Sequence, residues 1–319
     1  MAGKPLIDHM YTADPSAHVF ENRIYIYPSH DLDIDSIDND NGDQYQMTDY
    51  HVFSMESAEG RVTDHGEVLH VKDVPWASRQ MWAPDAAYKN GEYYLYFPAR
   101  DKENNFRIGV ARSKSPSGPF KAEANYIKKS FSIDPCSFVD DDGSAYVYFG
   151  GLWGGQLEKY TTGQFNPDGK EPAPDAPAVC PRIARLTEDM LEFSEDPRKI
   201  VILDEKGNPL LAGDEERRYF EGPWMHKYKG KYYFSYSTGS THFLVYAVGD
   251  NPYGPFTYKG RILPPVIGWT THHSIVEFKN KWYLFYHDSS LSGGVNHKRC
   301  LKMQELKYDG QGHIIPMEP

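Results

Sequence analysis

A chain of 319 residues carrying 45 acidic against 34 basic side chains has a formal charge of -11, which argues against nucleic acid or an anionic membrane as partner, since both need a basic face. Hydrophobic residues make up 39% of the chain and aromatic ones 14%, which suffices for a packed core, while 24 Tyr, 16 Phe, 27 Gly and 23 Pro favour strands and tight turns over long helices. No stretch approaches the 18 apolar residues of a membrane span. The N-terminal run Met1–Asp8 has no apolar core of a signal peptide, so the expected location is the cytoplasm unless a leader was trimmed away. Cys136, Cys180 and Cys300 have neither paired nor zinc-binding spacing and read as reduced structural thiols.

Taken in order, the chain repeats one layout five times: a turn, then a tyrosine-rich strand. The units are Asn22–Tyr27, Asn90–Tyr96, Asp142–Tyr148, Lys229–Phe234 and Asn280–Tyr286, roughly one every 64 residues. Asn-Gly, Asp-Gly and Lys-Gly between strand-like runs are hairpin signals. A second echo pairs Ser115–Phe120 with Asn251–Phe256, as matching turns into an outer strand. Four short strands per unit, repeated radially, predict an all-β fold, a five-bladed β-propeller, with residues 1–319 as one catalytic domain. A β-sandwich is the competing all-β reading, but it does not carry five-fold self-similarity. Long loops are expected at 31–43 and 151–181, a length that in a compact fold serves function. Asp140-Asp141-Asp142-Gly143 reads as a hairpin turn. Asp31-Leu32-Asp33-Ile34-Asp35 imitates a calcium loop, yet Ser36 replaces the needed glycine, and a solvated loop is expected.

In a propeller the first strand of each blade lines the axis, so the residue just before each hairpin should face a shared central pocket. Counting back eleven or twelve residues from the repeat tyrosines reaches Asp14, Trp82, Asp134, Glu221 and His272, with Asp85 three residues beyond Trp82. Pro15, Pro135 and Pro223 follow the three acids and would hold each at a strand's start. An isolated Asp-Pro is often only a turn starter. Three acids in one register on separate blades instead point to a common site. Converging carboxylates suit glycoside hydrolysis, which needs one carboxyl group protonated and another ionised. Trp76, Trp82, Trp153, Trp224 and Trp269 fall near blade tops, as sugar platforms or packing, and Trp282 replaces a repeat tyrosine in the core.

With these motifs in hand, Tyr11–Ser16, Met81–Asp85, Ser132–Pro135, Phe220–Pro223 and Thr271–Ile275 together resemble glycoside hydrolase family 43 over essentially the whole chain. The resemblance implies an inverting mechanism with Asp14 as general base, Glu221 as general acid, and Asp134 orienting the acid and raising its pKa. It also implies that His272 approaches a calcium ion, another divalent cation, or a water in the central channel. His273 should turn the opposite way by strand alternation. Trp82, Asp85, Trp153 and Arg299 are the implied substrate contacts.

Stretches Met47–Ser54, Asp73–Ala77, Phe106–Ala111 and Gly151–Leu157 resemble the single-domain β-xylosidase branch of the family. The expected substrate is a short xylo-oligosaccharide or an arabinose-decorated oligosaccharide. An α-L-arabinofuranosidase, alone or combined with xylosidase activity, is the near alternative. A non-catalytic sugar-binding propeller is the alternative from another class. An invertase-like hydrolase is disfavoured by the lack of Asn-Asp-Pro-Asn and Arg-Asp-Pro motifs. A homo-oligomer is compatible with the sequence.

Overall fold

The computed structural model describes residues 4–319. Its first unit follows from turn chemistry. Glu21 and Asn22 adopt left-handed φ values of 49° and 60°, so β1 (Tyr11–Phe20) folds straight back as β2 (Arg23–Asp31). β3 (Asp49–Met55) and β4 (Thr63–His70) complete an antiparallel sheet in the order β1-β2-β3-β4.

Four further sheets repeat the scheme. The second blade holds β5 (Ala77–Arg79), β6 (Asp85–Lys89), β7 (Glu92–Asp101), β8 (Phe106–Ser113) and β9 (Lys121–Ala122), with β5 and β6 both pairing to β7. The third holds β10 (Cys136–Val139), β11 (Ala145–Phe149), β12 (Arg182–Arg185) and β13 (Arg198–Lys199). β14 (Ile202–Leu203) then crosses to the fourth blade, β15 (Tyr219–Tyr228), β16 (Lys231–Thr238), β17 (Leu244–Gly249) and β18 (Phe256–Leu263), and pairs in parallel with β18. The last blade is β19 (His273–Phe278), β20 (Lys281–Asp288) and β21 (Cys300–Leu306).

The five-bladed propeller expected from the repeats is the observed architecture. Tyr25, Tyr94, Tyr146, Tyr233 and Tyr283 lie on β2, β7, β11, β16 and β20, one per sheet. The paired turns also match: Tyr27 donates its hydroxyl to Pro116 O at 2.7 Å, and Tyr148 donates to Pro252 O at 2.8 Å. Each contact ties the second strand of one blade to the outer turn of the next. Asp140 to Gly143 form the expected hairpin turn, closed by Gly143 N donating to Asp140 O at 2.9 Å.

The ring closes between its first and last blades. Leu6 N donates to Leu301 O and Thr12 N to Arg299 O, both at 2.9 Å. Large side chains fill the spaces between sheets, and several buried tyrosine hydroxyls find backbone carbonyls, as Tyr50 does at Trp82 O and Tyr96 at Met190 O. Trp76 stacks on Phe97, and Trp224 donates to Ile275 O at 3.0 Å, so both are packing residues. Among the described residues no helix is long and apolar enough to cross a membrane.

Candidate active site

Three carboxylates reach the propeller axis through local breaks in strand regularity. Asp14 sits inside β1 at an irregularity between Ala13 and Ser16, with φ at 50°. Asp134, at φ 57°, precedes β10 by two residues. Glu221 lies inside β15 between two register shifts, followed by Gly222 at φ 66°. The expectation that proline marks a strand's start therefore holds for Asp134 but is corrected for Asp14 and Glu221. Pro15 and Pro223 occupy bulges, where a missing ladder donor is tolerated and the neighbouring side chain is re-aimed. Gly222 has a second constraint: a Cβ there would meet His272 Cδ2 at 3.1 Å.

Asp14, Asp134, Glu221, His272 and Arg299 line one cavity of about 50 Å³, walled by Tyr45, Met47 and Trp82. A second cavity of about 70 Å³ adjoins it, lined by Trp153, Trp269 and Phe220. Tyr45, Trp82, Glu221 and Thr270 border both. Trp153 and Trp269 stack with centroids 6.1 Å apart, and Trp269 is 39% exposed. Glu221 thus stands where a deep polar compartment meets an aromatic vestibule. The loop from Gly151 builds that vestibule with two short 3-10 turns, Trp153–Gly155 and Leu157–Tyr160. Leu152 N donates to Phe220 O at 3.1 Å and Gly150 N to Ile133 O at 2.8 Å, which pins this loop beside both Glu221 and Asp134.

The carboxylates face opposite electrostatic demands. Burial disfavours the charge on Asp14, but Arg299 and His272 outweigh it and hold the carboxyl well below its ordinary range. Arg299 Nη1 donates to Asp14 Oδ1 at 3.1 Å and Ser29 Oγ to Oδ2 at 2.6 Å. His287 Nδ1 accepts the Asp14 backbone N–H at 3.0 Å, and burial lowers its pKa to about 3, so this imidazole is neutral. At Glu221 the same His272 and Arg299 charges are outweighed. Burial first, then the negative charge of Asp134, pushes it up to about 8. Asp134 rises to about 6 by burial, against His272 and the 3.0 Å bond from Gly222 N. Burial works against the imidazolium of His272, yet Asp134, Asp14 and Glu221 around it raise its pKa to about 9. At neutral pH the cavity pairs an ionised Asp14 with a protonated Glu221, a separation that marks acid and base partners.

The structure brings together Asp14, Asp134, Glu221, His272, Arg299 and Trp82, and sets Trp153 at the mouth. His273 turns away, as strand alternation requires, and its Nε2 lies 2.6 Å from Ser235 Oγ. Asp85 is corrected. It borders neither cavity, is 1% exposed, and its oxygens are committed to Ser16, to His18 at 2.6 Å, and to Ser137 Oγ at 2.7 Å. It is a tie between three blades rather than a sugar contact. The solvated-loop expectation also fails at Asp31, which is buried and grips Arg299 through Nε and Nη2 at 2.8 Å each. Asp33 meets Lys298 at 2.7 Å, so the acidic run is a counter-strip to the basic segment before β21. Sequence reasoning missed Tyr45, which stacks under the Arg299 guanidinium at 4.9 Å, along with Ser29, Thr270 and His287. None of these stands in the repeat register that exposed the acids.

A model of glycosyl hydrolases family 43 matches residues 4–314. The chain belongs to that family. Xylosidase/arabinosidase 43A of Humicola insolens is 62% identical, over 99% of this chain and 99% of its own. A beta-xylosidase of Xylanibacter ruminicola is 52% identical, covering 98% and 99%. Among solved structures, a GH43 beta-xylosidase/alpha-arabinofuranosidase from a compost microbial metagenome, in complex with xylotriose and in a calcium-free form, superposes with a TM-score of 0.98. It is 61% identical and covers 100% of this chain and 98% of that one. The protein is accordingly a glycoside hydrolase on a family 43 propeller.

Proposed function

We propose that the enzyme removes xylose from short β-1,4-xylo-oligosaccharides with inversion, using Asp14 as general base and Glu221 as general acid. The observation carrying this reading is that one cavity presents an Asp14 held ionised by Arg299 and a Glu221 kept protonated by burial and Asp134. Glu221 transfers its proton to the glycosidic oxygen as the bond to the anomeric carbon breaks. Asp14 takes a proton from the water that attacks the opposite face. Proton exchange with solvent then restores both groups. Asp134, bonded to Gly222 N, acts as a positioning residue that raises the proton affinity of Glu221 and holds the backbone beside it.

Substrate identity is supported by the likeness to relatives named xylosidase and arabinosidase, and by a neighbour solved with xylotriose. The dual names favour a second reading, cleavage of α-L-arabinofuranosides in the same cavity. Rates on nitrophenyl β-xyloside and α-arabinofuranoside rank the two. Proton NMR of the first-formed sugar tests the stereochemistry: α-xylopyranose supports inversion, and β-xylopyranose overturns it.

A divalent cation beside His272 belongs to the same proposal, and the description of one neighbour as calcium-free supports it. The donor chemistry fits: Asp14, Asp134 and Glu221 surround the imidazole and call for positive charge there. On giving up its proton, His272 would hold the ion through a ring nitrogen, with water completing the oxygen shell that calcium prefers. When bound, the ion supplies fixed positive charge at the cavity floor.

A further inference from the structure

On the two middle strands of the first blade, His30 on β2 and Asp49 and His51 on β3 converge. Asp49 and His51 are two residues apart on one strand and so share a face. An irregularity in the β3–β4 pairing at His51 adjusts its aim. His30 Nδ1 lies 3.0 and 2.9 Å from the two oxygens of Asp49, and His51 Nε2 lies 3.3 Å from Oδ2. All three donor atoms fall within 4.8 Å of one another. Bonds of about 2.0–2.2 Å to a single ion place neighbouring ligands about 2.8–3.6 Å apart. The closest separations here lie inside that interval before any ion is added.

The surroundings complete the pattern of a metal centre. Thr48 Oγ1 donates to Asp49 Oδ1 at 3.1 Å and orients the carboxylate. On its far side, the ring of His51 turns Nδ1 toward Asp64 Oδ1 at 3.6 Å, and that nitrogen is buried with no hydrogen-bond partner. Asp64 is itself fixed by Gly66 N at 2.7 Å and by His9 Nε2 at 2.9 Å. A small approach that closes this gap to a hydrogen bond would give His51 the backing carboxylate that sets a ligating histidine's tautomer and strengthens it as a ligand. Side chains of His30 and His51 remain 20% and 19% exposed, which gives an ion an entry path and leaves positions for water.

We propose that His30, Asp49 and His51 form a binding site for a divalent transition cation of the zinc class. Two imidazoles and one carboxylate select zinc, cobalt or nickel over calcium and magnesium, which favour all-oxygen shells. The site is separate from the central cavity, because none of the three residues lines it. It is nevertheless adjacent in sequence to the catalytic support: Asp31 follows His30 and grips Arg299 from the opposite strand face.

The test uses the untagged full chain, stripped with EDTA and titrated with Zn2+ by calorimetry and with Co2+ by visible absorption. With Ca2+ in excess to fill the site proposed beside His272, the expected result is one equivalent of either ion, with the Co2+ ligand-field bands of a nitrogen-containing site. His30→Gln and His51→Gln should each abolish that equivalent while melting like the parent in EDTA. Asp64→Asn should weaken it about tenfold, the usual effect of removing a histidine's supporting carboxylate. His272→Gln should leave it unchanged. Absence of Zn2+ binding, retention in both His30→Gln and His51→Gln, or loss in His272→Gln would each overturn the assignment.

Discussion

Arg299 donates from Nη1 to Oδ1 of Asp14 at 3.1 Å, joining residues 285 positions apart at the two ends of the propeller ring. The same guanidinium is held by Asp31 and stacked on Tyr45, so its charge is fixed in place. Arg299→Met should therefore do two things. Breaking a buried ion pair by removing one partner costs about 3–5 kcal/mol, so the melting temperature should fall. Asp14 should also titrate nearer its ordinary range, moving the acid limb of kcat/KM to higher pH. An unchanged acid limb would refute the role of Arg299 as countercharge.

Glu221→Gln separates proton donation from binding. General acid catalysis contributes about 10²–10⁴-fold, and that factor should vanish for xylobiose. Substrates with a dinitrophenyl leaving group need little protonation and should retain far more activity. Equal losses on both would speak against the assignment.

The pH profile should show the same group. Above about pH 8 Glu221 loses its proton, and kcat/KM should fall. Asp134→Asn removes the neighbouring negative charge and should shift that alkaline limb downward. For stability the sign follows from a folded pKa raised above the ordinary 4.5: the contribution is present below 4.5 and lost as pH rises through about 8. Glu221→Gln does not titrate, so its melting temperature should gain on the parent between pH 5 and pH 9.

Gly222→Ala forces a side chain into a left-handed φ and against His272. Backbone strain alone costs about 1–2 kcal/mol. Activity should fall further than stability, because Gly222 N also holds Asp134. Parallel thermal melts and kcat measurements compare the two.

Trp153→Ala and Trp269→Ala remove the vestibule walls but leave the inner cavity intact. KM for xylotriose should rise about tenfold, equivalent to about 1.4 kcal/mol, with kcat largely kept. Nitrophenyl xyloside should respond less. A uniform loss on both substrates would place these residues in the chemistry instead.

How legible all this was in the sequence depends on what repeats. Tyr25, Tyr94, Tyr146, Tyr233 and Tyr283 recur because each sheet needs the same packed second strand, and the acids before them inherit the same register. Residues that answer only to a neighbour left no such mark. Asp31 looked solvated because its partner Arg299 lies 268 positions away. Asp85 lies three residues beyond the register position at Trp82, and its carboxylate turns to Ser16, His18 and Ser137, a direction that spacing does not encode. Tyr45 and Thr270 sit on connections, where side-chain direction follows the loop path rather than a strand period.

The tie between first and last blades has a consequence for biosynthesis. Asp14 is made 285 residues before Arg299, which directly precedes β21, the strand whose Leu301 carbonyl accepts Leu6 N. A nascent chain thus carries Asp14 long before the countercharge that keeps its carboxylate ionised. A chain that has not yet placed Arg299 leaves both Asp14 and Asp31 without their shared countercharge.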